Sequence, residues 1–343
     1  MKTVFSENHK LRDAKGELYQ GEFVAPFECP RRAEIIIDAV RNRGLGEVLE
    51  PADYGLDPVM AVHDAGFVDF LRTFMDDWEA AGFKGEALAP CWPSRSMTAS
   101  QIPLHVEGRL GYYALSTDTV MSRGTWEAAM SSKDVALTAT DLVLDGKENV
   151  AFGLCRPPGH HAATDQFGGY CFFNNAAISA QHALDKGCAK VAILDVDFHH
   201  GNGTQEIFYD RDDVLFLSLH GDPMHTFPHF LGHAGETGKG AGEGFNWNYP
   251  LPPGASYQMW LAKLQDALAR IEAYDPDMVI VSLGVDTFEH DPISFFKLTH
   301  DDFADYGRRI ATLGKPTVYV MEGGYAVEEI GINTTNVLFG HES

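Results

Sequence analysis

Residues Lys190–Gly203 read KVAILDVDFHHGNG. The opening run of Val, Ala, Ile and Leu is short, apolar and not alternating, which suits a strand covered on both faces of a parallel sheet. It runs straight into Asp195, Asp197 and His199, spaced by two. On an extended chain these three side chains share one face, while Val196 and Phe198 point into packing on the other. Two carboxylates and an imidazole at the end of a buried strand are costly unless something cationic sits among them.

Four further stretches have the same character: Asn149–Cys155 (NVAFGLC), Asp213–His220 (DVLFLSLH), Asp277–Leu283 (DMVIVSL) and Pro316–Met321 (PTVYVM). Amphipathic stretches lie between the runs. Pro30–Arg43 begins with proline at a first-turn position and stops at Gly44. Asn174–Lys186 stops at Gly187, and Ser256–Tyr274 and His300–Leu313 are further helical stretches. Strands alternating with helices predict an α/β fold, an open, doubly wound, mostly parallel sheet flanked by helices. No repeat or linker divides residues 1–343, so a single domain is expected. Within it, Gly82–Gly124 carries three prolines, two tyrosines and a tryptophan with little periodicity. A long stretch of that kind inside a compact domain is usually a lid or a binding loop.

The 343 residues hold 26 Lys+Arg against 49 Asp+Glu, a formal charge of −23. A hydrophobic share of 45% is that of a globular protein and excludes a disordered one. The acidic excess argues against nucleic acid as a partner, because affinity for phosphates comes from Lys and Arg. It suits cationic ligands, or an acidic surface that keeps a protein soluble in salt. No window approaches ~18 consecutive apolar residues, so no membrane span is expected. The first residues carry no apolar core of signal-peptide length, and the expected location is cytoplasmic. The five cysteines (Cys29, Cys91, Cys155, Cys171, Cys188) form no CxxC pair. Buried reduced thiols are expected rather than a disulfide framework.

In doubly wound sheets ligands bind beyond the carboxyl ends of the strands, and that is where the polar residues gather. The strand DMVIVSL ends in Gly-Val-Asp, which puts Asp286 on the same rim as Asp197 and His199. An Asp/His/Asp set with an open position is a hydrolytic metal site, suited to Zn²⁺, with Fe²⁺ or Co²⁺ as substitutes. Any one of these acids alone would read equally well as a helix cap or an arginine partner. NVAFGLC leads to Arg156-Pro-Pro-Gly-His160-His161, a turn that fixes two imidazoles on the rim. Tandem histidines are natural acid–base groups near neutrality, although backbone carbonyls could equally satisfy them. PTVYVM leads to Glu322-Gly-Gly-Tyr325, a mobile loop whose phenol could stabilise an oxyanion. G-x-S-x-G, Walker A and HExxH motifs are all missing, and the glycines of 238–244 do not lie between a strand and a helix.

Taken in order, RPPGHHA, FGGYCFFNN, ILDVDFHHGNGTQ, SLHGDP, SLGVDTFEHDP and MEGGY resemble the arginase/deacetylase fold in its zinc-dependent, histone deacetylase-like branch. The segment 82–124 and FPHFLGHAGETGKGAGEG make the likeness closest to the acetylpolyamine amidohydrolases. The resemblance implies an amidohydrolase that removes acetate from N-acetylated polyamines by attack of a metal-activated water. Asp197, His199 and Asp286 would hold one Zn²⁺. His161 would be the general base and then the acid, His160 its electrostatic partner, and Tyr325 the oxyanion donor. Asp195 would orient His160, and Asn202 stands behind His161 where some relatives have Asp. An amide there should leave His161 a neutral base more readily.

Gly169, Tyr170 and Phe227 would line a narrow tunnel, with Glu107 and Asp118 holding the distal ammonium groups of the substrate. A structural K⁺ site would draw on Asp195, Asp197, His199, Ser218 and Leu219, and a second on Phe208, Arg211 and Val214. The segment 82–124 would pair two chains as a homodimer and close the tunnel. The alternatives are a deacetylase of acetyl-lysine in proteins, a binuclear manganese ureohydrolase, and an inactive binding module. The ureohydrolase would need further ligands, and Phe288 stands where a second acid would be expected.

Overall fold

The computed structural model describes residues 1–94, 96 and 101–343. Its strands are β1 (Lys2–Val4), β2 (Glu17–Tyr19), β3 (Glu22–Val24), β4 (Val48–Leu49), β5 (Val150–Gly153), β6 (Val191–Asp195), β7 (Val214–Gly221), β8 (Asn246–Leu251), β9 (Met278–Leu283) and β10 (Thr317–Met321). All five predicted strands are there, as β5, β6, β7, β9 and β10. Eight strands pair in the order β4-β1-β5-β10-β9-β6-β7-β8, and every neighbouring pair is parallel. β2 and β3 form a separate antiparallel hairpin.

The helices are α1 (Pro30–Arg43), α2 (Asp57–Met60), α3 (Ala65–Ala80), α4 (Val106–Tyr113), α5 (Thr125–Leu144), α6 (Asn175–Asp185), α7 (Asn202–Phe208), α8 (Tyr257–Tyr274), α9 (His300–Ala311) and α10 (Ile330–Glu342). Their ends follow local chemistry. Gly44 closes α1 with φ at 65°, a left-handed turn that costs glycine nothing. The Asp64 carboxylate caps α3 by accepting from the amides of Gly66 and Phe67. Thr299 and Asp302 form a reciprocal cap at the start of α9.

The two faces of the sheet explain why its strands read as continuous apolar runs. Along β6, Val191 and Ile193 pack with Val135, Ala139 and Phe208 of the α5–α6–α7 layer. Ala192 and Leu194 point the other way, to Ile36, Trp260, Ile310 and Val337 of the α1, α8, α9 and α10 layer. Each buried aliphatic side chain contributes about 1.5–3 kcal/mol relative to exposure. A third, aromatic cluster joins Phe67, Phe70 and Phe74 of α3 to Phe167 and Phe172. Ala87, Ala89, Val106 and Leu110 of the segment 82–124 pack into it.

Several features depart from the sequence reading. β1, β4 and β8 are too short or too polar to register as strands; β8 (NWNYPL) holds an edge, the position where a strand tolerates proline. The 20-residue α5 is buried around most of its circumference, so its pattern lacks a polar stripe. The segment 82–124 contains α4 and a bridge between Ala87 and Met121; residues 95 and 97–100 of it lie outside those described. All five cysteines are free, but only Cys155 and Cys171 are buried; Cys29 and Cys188 are half-buried and Cys91 is exposed. Among the described residues, no helix is long and apolar enough to cross a membrane.

Because Ile193 is fully buried in the central part of the sheet, Ile193→Ala should lower stability in denaturant titration by about 2–5 kcal/mol. The exposed Met259→Ala should stay within about 0.5 kcal/mol.

Candidate active site

β5, β6, β9 and β10 are parallel neighbours, so the segments that follow them meet on one rim. Asp195 is the last residue of β6. Beyond it the chain does not stay extended. Asp195 Oδ1 accepts from the amide of Asp197 (3.1 Å), and Asp197 Oδ1 from the amide of His199 (2.8 Å). The expected single strand face is therefore replaced by a bend, because the carboxylates satisfy backbone N–H groups that have lost sheet partners. The bend still gathers the side chains. His199 Nδ1 lies 3.0 Å from Asp286 Oδ2 and 3.4 Å from Asp197 Oδ1.

The donor atoms of Asp197, His199 and Asp286 all lie within 4.8 Å of one another, and all three residues are buried. Their surroundings shift their protonation. Burial and then the charge of Asp197 push Asp286 up to about 8. Burial pulls His199 down, but hydrogen bonds and charge from Asp197 and Asp286 leave it at about 9. Two carboxylates and an imidazole gathered out of water form a donor set that binds a divalent cation in the deprotonated state. A divalent metal fits this set. A second buried trio, His160, Cys171 and Glu322, is equally close. There the His160 imidazolium already supplies the positive charge.

The two neighbouring histidines are driven apart. His160 Nδ1 donates to Asp195 Oδ2 (3.0 Å), and its Nε2 is 3.8 Å from Asp197 Oδ1. Burial works against its charge, but Asp197 and Asp195 outweigh burial and raise it to about 10. His161 Nδ1 donates to Asn202 Oδ1 (2.7 Å), and the same amide donates through Nδ2 to the carbonyl of His161 (3.3 Å). That pair of bonds fixes the amide orientation and leaves Nε2 as the free lone pair. Burial, then the charges of His160 and His199, hold His161 well below the usual value. A cationic and a neutral imidazole stand side by side, ring centroids 4.0 Å apart.

Glu322, quoted in the motif MEGGY without a role, clamps this turn: Oε2 accepts from the amides of Gly159 (2.6 Å) and His160 (3.1 Å). The loop beyond it is held rather than mobile. The amide of Gly323 donates to Asp197 Oδ2 (2.8 Å), and any side chain at Gly323 would strike the Asp197 and Asp286 carboxylates. Arg32 donates to the carbonyls of Gly324 (2.6 Å) and Glu322 (2.7 Å) and lies over the Tyr325 ring. The amide of Tyr325 donates to Asp291 Oδ2 (2.7 Å). Burial pushes the Tyr325 phenol well above its usual value, so its O–H stays protonated.

A cavity of about 400 Å³ opens onto His161, His199 and Tyr325. Gly169, Tyr170 and Phe227 line it. Phe227 stands edge-on to His161, centroids 4.9 Å apart. Gly169, at φ 53°, leaves room for the His161 ring. Tyr170 holds a left-handed backbone (φ 67°) and donates its hydroxyl to Glu17 Oε1 (2.9 Å) of the N-terminal hairpin. Asp118 reaches the rim, where its Oδ1 accepts from Ser116 (2.6 Å) and Thr119 (2.8 Å).

Glu107 does not line the cavity. It sits in the first turn of α4, whose Val106, Leu110 and Tyr113 face inward, and its exposed carboxylate lies 3.6 Å from His105 Nδ1. Ser218 pairs in register with Asp195 across β6 and β7, with Leu219 next along β7. Arg211 is bound to Asp213 and stacks over Phe208, beside Val214. Asp291, Glu17 and Arg32 went unread in the sequence; only Asp291 lay inside a quoted motif.

The chain matches the histone deacetylase domain over residues 26–340. It is 58% identical over 340 residues to an acetylpolyamine amidohydrolase from Mycoplana ramosa, covering 99% of each chain. It is 52% identical to acetylpolyamine amidohydrolase 2 from Pseudomonas aeruginosa, over 100% of this chain and 99% of that one. The crystal structure of an acetylpolyamine aminohydrolase from Burkholderia pseudomallei superposes with a TM-score of 0.94 at 38% identity, covering 100% of this chain and 99% of that one. With the parallel sheet and the domain match in agreement, the chain belongs to the histone deacetylase family of acetyl-amide hydrolases.

Proposed function

We propose that this chain removes acetate from N-acetylated polyamines, with one Zn²⁺ held by Asp197, His199 and Asp286. The observation that carries the chemistry is the buried Asp197–His199–Asp286 trio at the cavity beside two histidines whose surroundings push them in opposite directions. The names of the relatives support the substrate class, as does Asp118 at the rim of an acidic protein. When bound, Zn²⁺ would act as a Lewis acid on the acetamide carbonyl and acidify a water molecule.

The protein groups carry the rest. His161 accepts the proton of the attacking water at Nε2, while Asn202 keeps Nδ1 protonated and the ring oriented. The same nitrogen then delivers that proton to the departing amine. His160 stays an imidazolium, held by Asp195, and favours the negative charge that develops beside it. Tyr325 donates its O–H to the developing oxyanion. Tyr170 and Phe227 narrow the approach to a thin aliphatic chain, and Asp118 meets a distal ammonium. Asp195, Asp197, His199, Ser218 and Leu219 would hold K⁺, whose preference for oxygen donors fits their carboxylates and carbonyls. Exposed Trp92, Ile102 and Leu104 support association of two chains through the segment 82–124.

Three outcomes are expected. Zn²⁺ at 100 times its Kd should stabilise the protein by about 2.7 kcal/mol in thermal unfolding. Asp286→Ala and His199→Ala should lose that gain, and a gain that survives in both would remove the metal assignment. Tyr325→Phe should lower kcat by about 10²–10³ on an acetylated diamine; across a panel of acetylated amines and acetyl-lysine peptides, faster turnover of the peptides would replace the polyamine reading. In the wild type the low pKa of His161 keeps the base neutral into acid, and activity fails only as pH falls through that value. Asn202→Asp puts a carboxylate at Nδ1 and favours the imidazolium, so the acid limb of kcat/KM should move up by about 1–3 pH units; an unmoved limb would mean that another group is the base.

A further inference from the structure

The residues that follow β9 and β10 form two adjacent walls of the cavity, Pro292–Phe295 on one side and Tyr325 on the other. Between them lies Asp291, only 6% exposed. Its Oδ1 accepts from the amide of Ile293 (3.1 Å). Its Oδ2 accepts from the amides of Tyr325 (2.7 Å) and Ala326 (3.2 Å). The amide of Asp291 itself donates to the carbonyl of Phe288 (3.0 Å), which closes a turn and fixes the carboxylate in place. One buried carboxylate therefore collects three backbone N–H groups from two separate loops.

The other contacts of the Tyr325 loop act elsewhere. Arg32 holds the carbonyls of Glu322 and Gly324 and stacks on the ring, while Gly323 is tied to Asp197. Neither reaches the amides of Tyr325 and Ala326. Rotation of the backbone at these two residues is opposed by Asp291, and a phenol projects any such rotation to its far end, where the hydroxyl is. A carboxylate accepting several amides is a strong, charge-assisted anchor.

We propose that Asp291 is the positioning residue for Tyr325, locking the backbone at 325–326 to the wall at 293 so that the hydroxyl points into the cavity. This rests on Tyr325 being the oxyanion donor proposed above. Asp291 itself does not line the cavity, and it acts only through the tyrosine. A misplacement of about 1 Å at a reacting group can cost about 10²-fold in rate.

The test is a double-mutant cycle of Asp291→Asn and Tyr325→Phe in the zinc-loaded 343-residue chain, on the best acetylated amine of the panel. Asp291→Asn should lower kcat about 10–100-fold with KM changed less than about threefold. In the Tyr325→Phe background the same substitution should cost nothing further, because the group it positions is gone. Amide hydrogen exchange at Tyr325 and Ala326 should quicken in Asp291→Asn. If that variant fails to fold, Asp291→Glu, which keeps the charge but lengthens the arm, takes its place in the cycle. An equal loss in both backgrounds, or no loss in the first, overturns the proposal. Full activity of Tyr325→Phe would instead overturn the reading of the tyrosine, a result distinct from additivity.

Discussion

The structure is organised around a concentration of buried negative charge. Asp195, Asp197, Asp286 and Glu322 are each fully buried at the carboxyl ends of neighbouring parallel strands. An isolated charge in such a place costs several kcal/mol after relaxation. The protein answers with donors. The amides of Gly159, His160, Asp197, Phe198, His199 and Gly323 all point at these carboxylates. Glycine at 323 lets the backbone come close enough to give its N–H. What the amides leave uncompensated falls in part to the His160 imidazolium.

From this one constraint the difference between the paired histidines follows. His160 faces the carboxylates and is held charged, so it repels a proton from His161. Asn202 completes the division, because its amide oxygen accepts from Nδ1 without favouring the cation as a carboxylate would. Environments that push two titratable groups apart are a recurrent way of assigning acid and base roles at one pH. The same burial keeps the Tyr325 phenol protonated, and hence a donor.

Much of this was legible because buried parallel strands read as apolar runs and the functional residues follow them directly. Asp197, His199, Asp286 and Tyr325 sit within four positions of a strand end, and the histidine pair within eight. The bend at 196–199 was not legible, since spacing by two looks alike in a strand and in consecutive side-chain-to-backbone turns. Glu322 and Asp291 lay inside recognised motifs, but what they do depends on amides brought from other strands. Glu17 and Arg32 belong to the first residues of the chain and carry no local signal of the cavity they support. Where Glu107 stands was not legible either, because the phase of α4 decides which side chains turn inward and the segment 82–124 shows little periodicity.

The position of β10 has a consequence for how the molecule comes into being. It is the last strand in the chain, yet it lies in the middle of the sheet, with β5 on one side and β9 on the other. Until it is made, β4-β1-β5 and β9-β6-β7-β8 have no common edge. His199 and Asp286 are already 87 positions apart in the chain, and pairings of such sequence separation form slowly. A nascent chain would thus emerge from the ribosome as two partial sheets with bare inner edges, the state most exposed to wrong association. Insertion of β10 closes both edges at once. It also delivers Glu322 and Tyr325, so the seam of the sheet and the rim of the cavity are completed in a single step.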